Sequence, residues 1–245
     1  MVAMIEKVFN NYTLLIFSDK TKLSQKLSDF IYSDINNLHL KKERYQICVC
    51  GGSTPKLVYK FLSERKLEWN KVDVFLGDER CVEPTSKESN SLMLKETLLR
   101  NFGNEAYFYN IFSNTEFSEK IVRQNFINQL KKRCKGNPPK FDLTLLGLGD
   151  DGHTASLFPN NKNNNNEDLV IYSHGKGLKR ISLTPKIISA SSKIIFIVSG
   201  SSKRAALKRL LDDNESPDRT PAKLIKSKTQ ILVFCDEEAS NDLSI

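Results

Sequence analysis

The sequence predicts an α/β fold: a single-domain, doubly wound, mostly parallel β-sheet with helices on both faces and a small extra hairpin. Short apolar segments alternate with segments in which apolar residues recur every three or four positions, as in βαβ units. Several apolar segments are nearly continuous, which is typical of parallel strands covered on both faces. No change in composition marks a boundary, so one domain is predicted over residues 1–245.

The first half of the chain alternates predicted strands and helices. Compact apolar runs predict strands at residues 12–18, 45–50 and 71–77, and a weaker run predicts one at 106–112. Apolar residues at helical spacing predict helices from Leu23 to Leu38, from Pro55 to about Arg65, over 91–102, and through Phe117, Ile121, Phe126 and Leu130.

The second half repeats this rhythm and adds one segment of different character. Near-continuous apolar runs predict strands at residues 141–147, 193–200 and 229–235, and shorter runs at 169–173 and 180–184 predict the hairpin. The segment 160–168, NNKNNNNED, contains no apolar residue. Because it cannot help to fill a core, it is predicted to be an exposed, mobile insertion.

Composition and cysteine content disfavour several classes of protein. No apolar run approaches the ~20 residues that a membrane helix needs, and the N-terminus lacks the basic start and the apolar stretch of a secretory signal. The five cysteines are odd in number, scattered and without a C-x-x-C pair, which argues against a disulfide framework or a zinc site. We therefore expect a cytoplasmic protein with no membrane partner.

The chain carries a net charge of +8, from 37 basic and 29 acidic residues. Such a charge suits either a nucleic acid or a small anionic substrate. The basic clusters at residues 41–44, 131–135 and 226–228 lack interleaved aromatic residues and match no nucleic-acid motif. A small anionic molecule is therefore the favoured partner, and no nucleic acid is expected.

Gly147, Gly149 and Gly152 have the G-x-G-x-x-G spacing of a dinucleotide-binding fingerprint. That fingerprint requires a full helix after the glycines and an acidic residue about 20 positions on, at the end of the next strand. Here only six residues separate the glycines from Pro159, and the next predicted strand ends at Ser173. The glycines therefore predict a flexible turn rather than a nucleotide site.

This turn places Asp151 and His153 two residues apart at the carboxyl end of a predicted buried strand. Ligands bind at such strand ends in open α/β sheets. A histidine can accept a proton near neutral pH, and a neighbouring carboxylate can orient it. His153 is thus a candidate general base, although a histidine that only holds a loop would give the same pattern.

The residues Gly51, Gly52, Ser53 and Thr54 follow the strand predicted at 45–50. The glycines let the backbone approach a ligand, and Thr54 is predicted to cap the helix that begins with Pro55. Free amides at such a helix start attract an anion. The alternative is a simple tight turn, since no Walker lysine follows.

Arg80 and Lys203 add positive charge at two other strand ends. Arg80 stands beside Asp78 and Glu79, so it could clamp a phosphate while an acid holds it in place; a local ion pair is the alternative. Lys203 is predicted in the first turn of a helix, which is unfavourable for a cation unless an anion binds there.

Taken in order, these strand ends resemble the motifs of the 6-phosphogluconolactonase family. The resemblance runs through most of the chain, and the third motif is long and specific. The motifs are GGSTP (51–55), GDERCVEPTSKESN (77–90), LLGLGDDGHTASLFP (145–159), RISLT (180–184) and GSSK (200–203).

The resemblance implies a sheet related to the sugar-phosphate isomerase and deaminase folds. It implies hydrolysis of 6-phospho-D-glucono-1,5-lactone to 6-phospho-D-gluconate in the oxidative pentose phosphate pathway, without a metal or an organic cofactor. Some lineages fuse this activity to the preceding enzyme, so functional or covalent coupling to glucose-6-phosphate dehydrogenase is an expectation of the same origin.

Carried over to this chain, the resemblance implies that His153 activates water and that Asp151 orients His153. It implies that Arg80 binds the anionic substrate and stabilises developing charge. The residues expected around the phosphate are Gly51, Gly52, Ser53, Thr54, Lys203 and Arg180.

The chain departs from the family pattern in three places. Asp150 stands where the family often has proline, the asparagine tract replaces a glycine after SLFP, and GKGLK replaces prolines before RISLT. Two other functions stay open. One is a glucosamine-6-phosphate deaminase/isomerase, whose motif GHIAFNEP differs from GHTASLFP here; the other is a non-catalytic sugar-phosphate sensor, which could dispense with His153.

Overall fold

Strands and helices alternate in the computed structural model, which describes residues 5–112, 118–165 and 167–243. The described strands are β1 (Ile5–Phe9), β2 (Tyr12–Phe17), β3 (Tyr45–Val49), β4 (Val72–Leu76), β5 (Asp78–Arg80), β6 (Tyr107–Tyr109), β7 (Leu143–Gly147), β8 (Val170–Gly175), β9 (Leu178–Leu183), β10 (Lys193–Val198) and β11 (Ile231–Asp236). The described α-helices are α1 (Lys20–His39), α2 (Pro55–Ser63), α3 (Asn90–Lys95), α4 (Glu119–Arg133), α5 (Pro185–Ile188), α6 (Arg204–Leu211) and α7 (Glu237–Ser240).

Eight of the described strands form one sheet in the order β1-β2-β11-β10-β7-β3-β4-β6. Every neighbouring pair in it is parallel except β1 with β2. The other three described strands form an antiparallel sheet in the order β5-β9-β8. The predicted α/β fold, with a mostly parallel sheet and an extra hairpin, is confirmed.

The core lies against the interior strands of the larger sheet. β3 and β4 are buried at every position, because their apolar sequences suit a strand covered on both faces. On α1, the fully buried residues Leu23, Leu27, Ile31 and Ile35 recur every four residues, so one stripe of this helix packs inward. Within the described residues we find no helix that is both long and apolar enough to cross a membrane.

Several elements differ from the sequence prediction. The strands β1 and β5 are not predicted, since β1 mixes charged and apolar residues and β5 consists of three charged residues. The helix predicted over 91–102 ends at Lys95, and Asn101 adopts a left-handed φ of 50° through which a right-handed helix cannot continue. Phe117, predicted on the face of α4, lies outside the described residues.

The asparagine-rich segment is not wholly exposed. Residues 162–165 form a 3₁₀ helix, and Asn164 is only 4% exposed. Its side-chain amide donates to the Phe158 carbonyl at 2.7 Å. The prediction of an exposed segment is therefore wrong at Asn164, because an asparagine side chain can be buried when a backbone carbonyl accepts its hydrogen bond.

Candidate active site

The order of strands in the larger sheet changes direction between β3 and β7. From β3 the chain continues to β4 and β6 on one side, whereas from β7 it continues to β10 and β11 on the other. Ligands bind outside the carboxyl ends of the strands at such a switch point, because the two loops diverge and leave a crevice. A pocket lies here, lined by residues that follow β3, β4, β7 and β10.

Eight of the nine predicted site residues line this pocket. They are Gly51, Gly52, Ser53, Thr54, Arg80, His153, Arg180 and Lys203. The ninth, Asp151, contacts His153. The tertiary structure therefore brings together side chains that the sequence predicts only to follow separate strands.

Asp151 holds His153 in a fixed orientation. Asp151 Oδ1 lies 2.5 Å from His153 Nδ1 and accepts the His153 backbone amide at 3.1 Å. Burial raises the pKa of Asp151, but two hydrogen bonds and the charge of His153 outweigh that effect and hold the pKa well below its ordinary value. An ionised carboxylate at Nδ1 favours a proton on that nitrogen, which leaves Nε2 as the proton acceptor of the ring. The ring of His153 packs on Phe158, with centroids 4.8 Å apart.

Gly149 gives this pair the space that it needs. A Cβ at residue 149 would lie 2.0 Å from His153 Nδ1 and 2.6 Å from Asp151 Oδ1. The Gly149 amide also donates to the His153 carbonyl at 2.8 Å. This glycine of the G-x-G-x-x-G pattern therefore serves close packing around the histidine.

Arg80 on β5 and Arg180 on β9 are opposite partners in the smaller sheet. Like charges in this relation repel, and the two side chains are only 19% and 7% exposed. Burial lowers the pKa of Arg180; Asp78 opposes this shift and Arg80 adds to it. The Arg80 Nε is buried with no hydrogen-bond partner among the described residues. A buried and a partly buried guanidinium group beside one pocket are suited to bind an anion.

The acids next to Arg80 do not hold its guanidinium in place, contrary to the sequence prediction; from Arg80, Glu79 accepts only the backbone amide, at 2.8 Å. Side chains alternate along a strand, so Asp78 and Arg80 line the pocket, whereas Glu79 accepts backbone amides at the start of α3. Asp78 lies 3.6 Å from Arg180. Arg80 instead donates to the carbonyl of Glu88, and its guanidinium lies 3.8 Å from the Glu88 carboxylate.

The loop from Gly51 to Thr54 passes close to other parts of the pocket. Gly52 has a φ of 111°, and a Cβ at residue 51 would overlap the side chain of Asn90. The predicted cap by Thr54 is wrong, since its side chain makes no capping hydrogen bond with a described residue. Thr54 has helical φ and ψ, whereas a capping residue needs an extended backbone to reach the amides ahead of it.

Lys203 ends a 3₁₀ helix, Ser201–Lys203, immediately before α6. It therefore precedes the first turn of the α-helix, in which it was expected. Lys203 lines the pocket and forms no salt bridge with any described residue. Its ammonium group is thus available to an anionic ligand.

Asn90 and Asp150 have places that the sequence did not reveal. Asn90 lines the pocket and donates to the Asp78 carbonyl at 2.9 Å. Asn90 is the last residue of the motif at 77–90, and this motif is the one signal in the sequence that could have indicated its role.

The Asp150 carboxylate lies 2.7 Å from Lys176 Nζ, and this hydrogen bond lowers the pKa of Asp150. Asp150 therefore joins the loop of His153 to the turn between β8 and β9.

Comparison with known proteins agrees with this geometry. The chain matches the family described as "Glucosamine-6-phosphate isomerases/6-phosphogluconolactonase" over residues 18–234. It is 31% identical over 237 residues to the 6-phosphogluconolactonase of a Nostoc species, an alignment that covers 95% of this chain and 99% of the relative.

Two solved structures show the same fold. One is a 6-phosphogluconolactonase from Shewanella baltica, with a TM-score of 0.80 and 27% identity, covering 96% of this chain and 100% of that one. The other is a 6-phosphogluconolactonase from Thermotoga maritima, with a TM-score of 0.79 and 26% identity, covering 91% and 98%. The chain therefore belongs to the glucosamine-6-phosphate isomerase/6-phosphogluconolactonase family, in which these relatives are 6-phosphogluconolactonases.

Proposed function

We propose that this chain hydrolyses 6-phospho-D-glucono-1,5-lactone to 6-phospho-D-gluconate, with His153 as the general base. The names of its relatives support the substrate. One observation carries the mechanism: His153, oriented by Asp151, shares a pocket with Arg80, Arg180 and Lys203. A base beside three cations suits a phosphorylated substrate that contains an ester bond.

In the proposed reaction, Nε2 of His153 removes a proton from a water molecule, whose oxygen attacks the carbonyl carbon of the lactone. The tetrahedral intermediate then breaks the bond between that carbon and the ring oxygen, which takes the proton from Nε2. Asp151 stabilises the imidazolium that exists between the two steps. The product is an open-chain carboxylic acid, which ionises at neutral pH.

The phosphate is proposed to bind to Arg80, Arg180, Lys203 and the loop of residues 51–54. The Nη groups of an arginine can donate in pairs to phosphate oxygens. The loop precedes α2, whose first amides carry partial positive charge. Bound phosphate would offset the repulsion between the two guanidinium groups.

The wider setting follows from the same resemblance. We propose that the chain acts in the oxidative pentose phosphate pathway, in the cytoplasm, as one domain over residues 1–245. Functional or covalent coupling to glucose-6-phosphate dehydrogenase is part of this proposal, because that enzyme produces the lactone.

A glucosamine-6-phosphate deaminase/isomerase is the main alternative, since it shares the matched family. In the motif GHIAFNEP, glutamate occupies the position of Phe158 in this chain. The Phe158 ring packs against His153 and lies 5.4 Å from the Arg180 guanidinium carbon. An aromatic ring cannot transfer a proton, so this contact favours the lactonase.

The test is to generate the lactone freshly and to compare its loss with and without the protein, because the lactone also hydrolyses spontaneously. Acceleration that depends on protein concentration supports the proposal. Release of ammonia from glucosamine 6-phosphate would indicate the deaminase instead. Binding of the product, 6-phosphogluconate, without turnover of the lactone would indicate a sensor.

We expect this hydrolysis to need no added metal and to survive treatment with a chelator. The described part of the chain contains no group of three His, Cys, Asp or Glu residues arranged to hold a metal ion. The lactone assay with and without the chelator measures this. Activity that the chelator removes and zinc restores would contradict the cofactor-free mechanism.

We expect Gly149→Ala to lower kcat by about tenfold or more, because the added methyl group would displace the His153 ring from Asp151. Gly77→Ala is the matched control, since a Cβ there would lie 3.5 Å from the nearest described atom, and Gly77 is not among the described residues that line the pocket. Steady-state kinetics of both variants measure the difference. Equal kcat values would show that the ring position does not limit the reaction.

A further inference from the structure

The loop that carries Asp151 and His153 is held from outside the pocket. The guanidinium of Arg209, on α6, donates from Nη2 to the Asp150 carbonyl at 3.1 Å. It also donates from Nε to the Thr220 hydroxyl oxygen at 3.1 Å. One side chain thus ties the loop to a second segment of the chain.

We call residues 215–222 the buttress segment, because they contact the same loop at several points. The Ala222 amide donates to the Gly152 carbonyl at 3.1 Å, and the Asn160 amide donates to the Asp218 carbonyl at 2.8 Å. Thr220 is fully buried and donates its hydroxyl to Glu215 at 2.9 Å. These hydrogen bonds therefore also hold the buttress segment in place.

Packing adds to these hydrogen bonds. Gly152 has a φ of 92°, and a Cβ there would lie 3.0 Å from the Thr220 Cα. The backbone of the loop therefore rests directly on the backbone of the buttress segment. Arg209 bridges the two at the position just before Asp151.

We propose that Arg209 is a positioning residue that fixes the loop of His153 relative to Lys203; this inference rests on the proposed function. α6 begins immediately after Lys203 and carries Arg209 in its second turn. The same helix therefore sets the place of a phosphate-binding cation and, through Arg209, of the proposed base. Arg209 is not among the described residues that line the pocket, so it acts through the loop.

An arginine suits this role because its planar fork reaches two acceptors at once. Lysine keeps the positive charge, but its donors share one nitrogen, so it cannot reproduce the two contacts that separate nitrogens of Arg209 make. Alanine keeps neither. Comparing arginine, lysine and alanine at residue 209 therefore distinguishes the effect of the positive charge from the effect of the two-contact geometry.

We expect Arg209→Ala to lower kcat by about ten- to a hundredfold and to change KM by less than about twofold, because small displacements of reacting groups carry large rate costs. Arg209→Lys should fall between Arg209→Ala and the unmodified protein. Lys208→Ala, at an exposed neighbour on the same helix, is the control and should match the unmodified protein. Amide hydrogen exchange over residues 149–153 should be fastest in Arg209→Ala, slower in Arg209→Lys and slowest in the unmodified protein.

The two measurements separate the two proposals. If the unmodified protein does not hydrolyse the lactone, the proposed function fails, and hydrogen exchange still decides the role of Arg209. Unchanged exchange over residues 149–153 in Arg209→Ala overturns the positioning role. A kcat within twofold of the Lys208→Ala value also overturns it. If Arg209→Ala does not fold, Arg209→Lys, which retains most of the side chain, carries the same comparisons.

Discussion

Replacing His153 by asparagine is expected to lower kcat by about 10²–10⁴-fold and to leave KM nearly unchanged. Asparagine keeps the approximate shape and some hydrogen bonding but cannot accept the proton from water. The contacts that bind the phosphate stay in place, so affinity should persist. The measurement is steady-state hydrolysis of the lactone, corrected for the spontaneous rate.

The acid side of the pH–rate profile provides a second check on His153. A general base acts only in its unprotonated form, so the rate of the unmodified protein should fall as the pH falls. Asp151 does not account for that loss, because its pKa is held well below its ordinary value and it stays ionised in mild acid. The residual activity of His153→Asn should lack this acid limb.

His174→Asn is the matched control for both measurements. His174 lies near the end of β8 and is exposed, and the described residues that line the pocket do not include it. Its substitution should leave kcat and the pH profile unchanged. A folded His153→Asn protein with the kcat of His174→Asn would refute the assignment of the base.

Replacing Lys203 by alanine is expected to raise KM for the phosphorylated lactone by about ten- to a hundredfold. The KM for unphosphorylated gluconolactone should change by less than about twofold, because that substrate has no phosphate to lose contact with. Lys203 suits this experiment, since it forms no salt bridge with a described residue. Its removal therefore breaks no ion pair within the described structure.

Arg80→Ala should show the same discrimination between the two lactones. Arg180→Ala is less informative, because the Arg180 side chain is buried beside Asp78, and its removal would leave a buried carboxylate without its cation. Lys208→Ala removes one positive charge on α6, at a residue that does not line the pocket, and controls for the net charge of the protein. Equal losses on both lactones would show that Lys203 and Arg80 do not bind the phosphate.

Local sequence predicted most of the fold because burial imposes local periodicity. The compact apolar run of β3 and the near-continuous apolar runs of β7, β10 and β11 indicated strands, and the four-residue spacing on α1 indicated a helix with one buried stripe. β5 escaped prediction because Asp78, Glu79 and Arg80 have no apolar pattern. This strand forms through pairing with β9, about a hundred residues further along the chain.

The candidate site, like the fold, could be predicted from the sequence only in part. Glycine turns, His153 and the cations at strand ends could be identified because parallel strands of one sheet end at a common edge. Asn90 could not be assigned to the pocket, because its contact with Asp78 depends on how α3 returns to β5. The cap predicted at Thr54 failed for a related reason: the backbone angles of the loop, and not the residue type, decide whether the hydroxyl reaches an amide.

The sequence by itself determined the fold class, the strands that end at the site and the identity of the proposed base, because periodicity and motif spacing are local properties. Only the tertiary structure decided that Arg80 faces Arg180 across two strands and that Asp150 meets Lys176. It also decided that Arg209 reaches a loop 59 residues earlier in the chain. These contacts join segments whose separation along the chain carries no pattern, so they exist only once packing has fixed the distances between elements.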